Sequence, residues 1–185
     1  MKNLRLWFPV TGLAALLLTA GCMLTSGQFV VTYEFADHGY DPIVVVNPST
    51  LTGAQVNLNE VGEYKDHKGD LKAVVDIALL GQLTNLAANP TAIEVWMVAN
   101  PGPVLTSDTA VRAAGQKIWG TFNLPGYGQA VQIDWDSSAK LFTGRQALVD
   151  EIKGDGRFDL YVLGSGSYTF RLDKGALIVV VSAGK

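Results

Sequence analysis

The sequence predicts a mainly β protein, an antiparallel β-sandwich of about nine strands in the immunoglobulin-like class. Apolar and polar residues alternate with period two in many short segments, which Gly, Pro, Asn and Asp separate from one another. The segments follow each other too closely for the helical crossovers that a parallel sheet needs. We therefore expect antiparallel strands packed in two layers.

Four strands are expected in the first half of the chain. They are rich in β-branched and aromatic residues or alternate in polarity, and they cover residues 29–35, 43–46, 54–59 and 75–85. The turn sequence Asn89-Pro90 predicts that the fourth strand forms a hairpin with a strand at residues 93–97.

Further strands are expected in the second half. Residues 117–124 and 130–135 flank a Gly- and Pro-containing turn and are predicted to pair with each other. Residues 168–172 and 176–182 flank Asp173-Lys174-Gly175, which predicts a tight turn. The continuous apolar run at residues 177–181 is typical of a strand in the centre of its sheet.

One short α-helix is predicted near residues 144–153. Thr143 and Gln146 fit a capping box, in which a hydroxyl and an amide satisfy free N–H groups at the helix start. Gly154 is placed to end the helix. A weaker helical turn is expected at residues 108–114.

The N-terminus predicts an export signal. Lys2 and Arg5 precede an apolar stretch at residues 6–18, and small residues then lead to Cys22, the single cysteine of the chain. A lone thiol has no internal disulfide partner, which favours a processing site at Cys22. The alternatives are an ordinary secretory signal with an incidental cysteine and an uncleaved transmembrane anchor. The dense apolar part is shorter than the roughly 20 residues that a membrane span needs.

The segment Thr19-Ala20-Gly21-Cys22 resembles the lipobox of bacterial lipoproteins. The resemblance implies that residues 1–21 are a cleaved signal peptide and that acyl chains on Cys22 anchor the protein in a membrane. Residue 23 is Met rather than the Asp that commonly retains lipoproteins in the inner membrane, so the resemblance implies the outer membrane of a bacterial envelope. Residues 22–28 would be the lipidated cysteine with a short spacer, and residues 29–185 a single domain.

Composition narrows the class of function. The chain has 14 basic and 17 acidic residues without a Lys/Arg cluster, which argues against a nucleic-acid partner. No established arrangement of nucleophile, general acid and general base stands out, and no cofactor is implied. We expect a lipid-anchored, non-catalytic envelope protein with a structural role or with other envelope proteins as partners.

An alternative is binding of a metal or small ligand. The chain's two histidines share the pattern Asp-His-x-x-Asp, and imidazole and carboxylate groups are ligands of divalent metals. The candidate ligands are Asp37, His38, Asp41, Asp66, His67 and Asp70. Polar loops in which Asp and Gly satisfy turn geometry explain the same pattern, and three lysines near the second copy would repel a cation.

A contact surface is also predicted. The segment Pro101-Gly102-Pro103 lies in the longest stretch without a regular pattern, residues 99–116. Loops of this length are often functional, so we expect these three residues to belong to a contact loop.

Overall fold

Two antiparallel sheets pack face to face in the computed structural model, which describes residues 26–40, 43–47, 51, 53–99 and 101–184. The first sheet contains β1 (Ser26–Glu34), β2 (Ile43–Asn47), β4 (Leu71–Asn85), β7 (Ala130–Ile133) and β9 (Tyr168–Gly184). The second contains β3 (Gly53–Asn57), β5 (Thr91–Ala99), β6 (Gln116–Leu124) and β8 (Arg157–Gly164). The expected β-sandwich is confirmed, and the described residues form nine strands.

Helical segments connect the strands. The α-helices are α1 (Gly62–His67), α2 (Asp108–Ala114), α3 (Trp135–Leu141) and α4 (Arg145–Lys153). Short 3-10 turns lie at Ala36–His38, Leu58–Glu60 and Lys68–Asp70. The helix predicted near residues 144–153 and the helical turn at residues 108–114 are confirmed as α4 and α2, whereas α1 and α3 were not predicted from the sequence.

Strand β9 runs through the middle of the first sheet. One of its sides pairs with β1 and β2, and the other pairs with β4. The side chains of Leu177, Val179 and Val181 are fully buried between the sheets. The central position predicted for residues 177–181 is therefore confirmed, although the alternate residues Ile178 and Val180 are only half-buried on the outer face.

The tight turn predicted at Asp173-Lys174-Gly175 is wrong, because β9 continues through it. The pairing with β4 shifts there, so that Asp173 is skipped in the register. Its carboxylate accepts hydrogen bonds from Thr84 and Arg171. Gly175 is required by packing, since a Cβ atom there would lie 2.7 Å from the Phe35 ring. The residues that suggested a turn therefore have other roles within the strand: Asp173 forms a bulge, and Gly175 allows close contact with Phe35.

Both predicted hairpins are also wrong. Strands β4 and β5 belong to different sheets, as do β6 and β7. The buried side chain of Asn85 connects both crossings, because its amide donates to the carbonyl oxygens of Asn89, 2.9 Å away, and Pro125, 2.7 Å away. Its side-chain oxygen accepts from the N–H of Ala87 at 2.8 Å. The sequence correctly placed turns after β4 and after β6, but each of these connections crosses from one sheet to the other instead of joining neighbouring strands.

The start of α4 also differs from the prediction. The N-cap residue is Gly144, which makes no side-chain cap, and Gln146 donates to Asp150 instead of completing a capping box. The N–H groups of Thr143 and Gly144 both donate to the carbonyl of Ile118 in β6. A Cβ atom at residue 144 would lie 2.3 Å from a backbone oxygen of β6, so this contact with the strand requires glycine. Gly154 ends the helix as predicted.

Replacing Asn85 with Asp should destabilise the fold strongly. The substitution keeps the size of the side chain but places a carboxylate against two carbonyl oxygens in a buried site. We expect a loss of about 3 kcal/mol, equivalent to a Tm about 6–12 °C lower for a chain of this size. The control is Asn123→Asp on an exposed position of β6, which should change Tm little. Equal melting temperatures for the two variants would contradict the role of Asn85.

Candidate functional site

Two tyrosine hydroxyls cover the free edge of β3. Tyr33 OH donates to the carbonyl oxygen of Gln55 at 3.0 Å, and the Gln55 N–H donates to Tyr40 OH at 3.2 Å. Burial raises the pKa of Tyr33 well above its usual range, with smaller contributions from nearby Tyr40 and Glu60. These contacts occupy backbone groups that an exposed edge strand would otherwise offer to another chain.

A polar cleft of about 560 Å³ opens where β1, at the edge of the first sheet, approaches β3, at the edge of the second. Its walls come from the end of β1, the turn that follows β1, strand β3 and the start of β8. The polar side chains that line it include His38, Tyr40, Gln55, Asn57, Glu60 and Arg157. The cleft has the size of a small-molecule site, and its lining is polar.

The His38 ring is held in place by two contacts, with Tyr33 and with Glu60. Gly39 has a left-handed backbone (φ 78°), which turns the chain at the end of the 3-10 turn. The imidazole stacks on the Tyr33 ring with a centroid distance of 4.0 Å and an interplanar angle of 3°. Its Nδ1 lies 3.2 Å from Glu60 Oε2, and Asn57 donates to the other Glu60 oxygen at 2.8 Å.

The described residues do not bring the two histidines together. His38 stacks on Tyr33, whereas His67 packs on Phe29 with the ring centroids 4.5 Å apart. Phe29 and Tyr33 are four residues apart on β1, a separation of about 13 Å along the strand.

The remaining candidate metal ligands do not join either histidine in a metal-binding group. Asp37, Asp66 and Asp70 are exposed, and Asp41 lies outside the described residues. Among the residues that the structure describes, no group of three His, Cys, Asp or Glu side chains is placed to hold a metal. Of the two Asp-His loops, only the first contributes to the cleft, through His38.

The predicted contact loop lies at the rim of the cleft. Pro101 lines the cleft, and the carbonyl oxygen of Gly102 accepts from the Gln55 amide at 3.3 Å. Pro103 is exposed. Further along the loop, the Leu105 N–H donates to Tyr161 OH at 3.0 Å. The loop is thus fixed against the outer face of the second sheet.

A buried carboxylate lies behind this loop. Asp159 is 1% exposed and stands opposite Gln55 in the β3–β8 register. Its Oδ2 accepts from Tyr161 OH at 3.4 Å, while Oδ1 has no hydrogen-bond partner among the described residues. Burial raises the pKa of Asp159, and the neighbouring polar groups of Tyr161 and Gln55 offset only part of that shift.

Asn57, Glu60 and Arg157 are among the polar side chains of the cleft that were not singled out in the sequence. Asn57 and Glu60 belong to the end of β3 and the following 3-10 turn, and Arg157 begins β8 about a hundred residues later. Only the pairing of Asn57 with Arg157 brings them to the same end of the sheet. The one local signal is the sequence Asp155-Gly156, a bend at which the Asp155 carboxylate accepts from the Arg157 N–H at 2.8 Å.

Comparison with known proteins does not assign a family. No protein-family model matches the chain. No curated protein is significantly similar to it.

None of the helices in the described part of the chain combines the length and the apolar character that crossing a bilayer requires.

Replacing Tyr33 with Phe should destabilise the protein by about 0.5–1.5 kcal/mol, because the part-buried hydrogen bond to the Gln55 carbonyl would be lost. Urea unfolding measures the loss as a lower midpoint. The matched control is Tyr127→Phe, which removes the hydroxyl from a side chain that is 72% exposed. Equal midpoints for the two variants would show that the hydroxyl does not secure the edge of β3.

The buried Asp159 should make stability depend on pH. Its pKa is raised in the folded state, so the free energy of unfolding should fall as pH rises from about 4, the unfolded value, through the folded pKa. Asp159→Asn should remove this loss, so that the variant gains stability relative to the wild type as pH rises. Urea unfolding across this pH range measures the difference.

Asp134 provides a control, because its pKa is lowered in the folded state, whereas that of Asp159 is raised. Hydrogen bonds from Ser137 lower its pKa, so its contribution to stability is present above pH of about 4 and is lost as pH falls. Asp134→Asn should therefore remove a stabilisation at neutral pH instead of relieving a cost. If Asp159→Asn shows the same pH slope as Asp134→Asn, the assignment of Asp159 is wrong.

Proposed function

We propose that this chain is a lipid-anchored, non-catalytic protein of the bacterial envelope, attached through acyl chains on Cys22 and able to contact other envelope components. The supporting observation is the short stretch of sequence between Cys22 and the first described strand. Strand β1 begins at Ser26, three residues earlier than the sequence predicted. Four residue steps reach at most about 14 Å, so an acylated Cys22 would hold the sandwich close to the bilayer.

The strand pairing indicates which end would face the membrane. Ser26 at the start of β1 pairs with Gly184 at the end of β9, and Leu71 at the start of β4 pairs with Ala183. The cleft lies at the other end of β1, near Tyr33, about 23 Å along the strand. With Cys22 acylated, the cleft would therefore open away from the lipid surface.

The cleft supports recognition more than catalysis. Both carboxylates that line it, Glu60 and Asp155, accept hydrogen bonds from protein groups, and the His38 ring is stacked and tied to Glu60. Fixed donors and acceptors of this kind suit the binding of a ligand or partner. Small-ligand binding is accordingly a second candidate function, and it would use His38 without His67. Outer-membrane location follows from the lipobox resemblance and Met23, and remains part of the proposal.

Replacing Cys22 with Ala should abolish anchoring. The wild-type protein, produced in a bacterium that acylates lipoproteins, should lose residues 1–21, gain the mass of its acyl chains and sediment with membranes. The variant should lack the acyl mass, as intact-mass spectrometry would show. Circular dichroism of both proteins controls for folding. A wild-type chain that still begins with Met1, or whose Cys22 sulfur is unmodified, would refute the proposal.

A further inference from the structure

We propose that the cleft binds an uncharged, polyhydroxylated ligand, an oligosaccharide. This inference goes beyond membrane anchoring and does not depend on it, because it rests on the side chains that line the cleft. Hydroxyl groups both donate and accept hydrogen bonds, so a sugar needs a site in which donors and acceptors lie side by side.

The cleft offers both kinds of group. The carboxylates of Glu60 and Asp155 are acceptors. The Arg157 guanidinium is a donor, and in the described part of the chain it forms no ion pair or side-chain hydrogen bond. Tyr40 OH accepts from the Gln55 N–H, and its own proton has no acceptor among the described residues.

The charges at the cleft balance one another, which favours an uncharged ligand. Two carboxylates, Glu60 and Asp155, lie with the guanidinium of Arg157. The Lys68 ammonium does not line the cleft but adds a second cation beside it, where it donates to the Asp155 carbonyl at 2.7 Å. With two charges of each sign, the site does not present the single-signed field that would concentrate an anion or a cation.

The lining is also preorganised. Glu60 is fixed by Asn57 and His38, and the Gln55 amide is fixed by the carbonyl of Gly102. Side chains that are already ordered lose little conformational entropy when a ligand binds. Pro101 adds an apolar surface at the rim, against which the C–H face of a sugar ring can pack. The volume of about 560 Å³ is ample for more than one sugar ring.

Ligand-observed saturation-transfer NMR on the natively processed protein in detergent micelles tests the proposal. The neutral probes are N,N′,N″-triacetylchitotriose, maltotriose and mannotriose. Trigalacturonate and the deacetylated chitosan trimer present the same kind of scaffold with negative and positive charge. We expect saturation transfer to at least one neutral trisaccharide and a weaker response from both charged trimers.

Cleft variants locate the binding. Arg157→Gln and Glu60→Gln each remove a charged hydrogen-bonding group at an exposed side chain, and each should raise Kd about tenfold. The controls are Lys140→Gln and Glu63→Gln, which remove one positive and one negative charge at exposed positions that do not line the cleft and should leave Kd unchanged. Thermal melting of all four variants separates loss of binding from loss of folding.

Three results would overturn the proposal. The first is no binding of any neutral trisaccharide at about 10 mM. The second is a neutral ligand whose Kd is the same in both cleft variants and in the wild type. The third is tighter binding of a charged trimer than of every neutral one. Since the signal comes from the sugar and not from the membrane, each result can be read whether or not Cys22 is acylated.

Discussion

The continuity of β9 is the constraint on which the rest of the structure depends. This strand of 17 residues pairs with β1 and β2 on one side and with β4 on the other, so three of the other four strands of the first sheet pair directly with it. Its inward side chains include several of the fully buried residues, among them Tyr168, Phe170 and Leu177. A turn at Asp173 would separate β2 from β1 and divide the sheet.

The same strand positions the cleft. The register of β1 against β9 places Tyr33 opposite Leu177, close to the point where β1 leaves the sheet. The Phe35 N–H then donates to the Gly175 carbonyl at 3.0 Å, and the 3-10 turn that follows brings His38 onto the Tyr33 ring. Tyr33 also donates to Gln55 across the gap between the sheets. One tyrosine thus supports the histidine with its ring and secures β3 with its hydroxyl.

Local sequence patterns predicted most strands and helices correctly, but they predicted poorly which strands pair with each other. Alternation identified most strands, and Gly154 marked the end of α4, because burial and helix termination are decided within a few residues. The hairpins failed because the two connections depend on Asn85, whose buried amide binds carbonyls 4 and 40 residues away. The site behaves in the same way. His38 and Pro101 were predicted for different reasons, and only the fold shows that both line one cleft with Arg157.

If Cys22 is acylated, the length of β1 determines how far the cleft lies from the membrane surface. The strand pairs with β9 along its whole length, from Ser26 to Glu34, so it is part of the sheet and not a separate flexible segment. Its first residue follows Cys22 closely, and its other end carries the Tyr33 and His38 wall of the cleft. A ligand in the cleft would therefore be held about 23 Å further from the lipid than Ser26 when the strand stands upright. Such a site suits a ligand that lies near the membrane surface, since a short spacer does not allow the domain to search for a distant one.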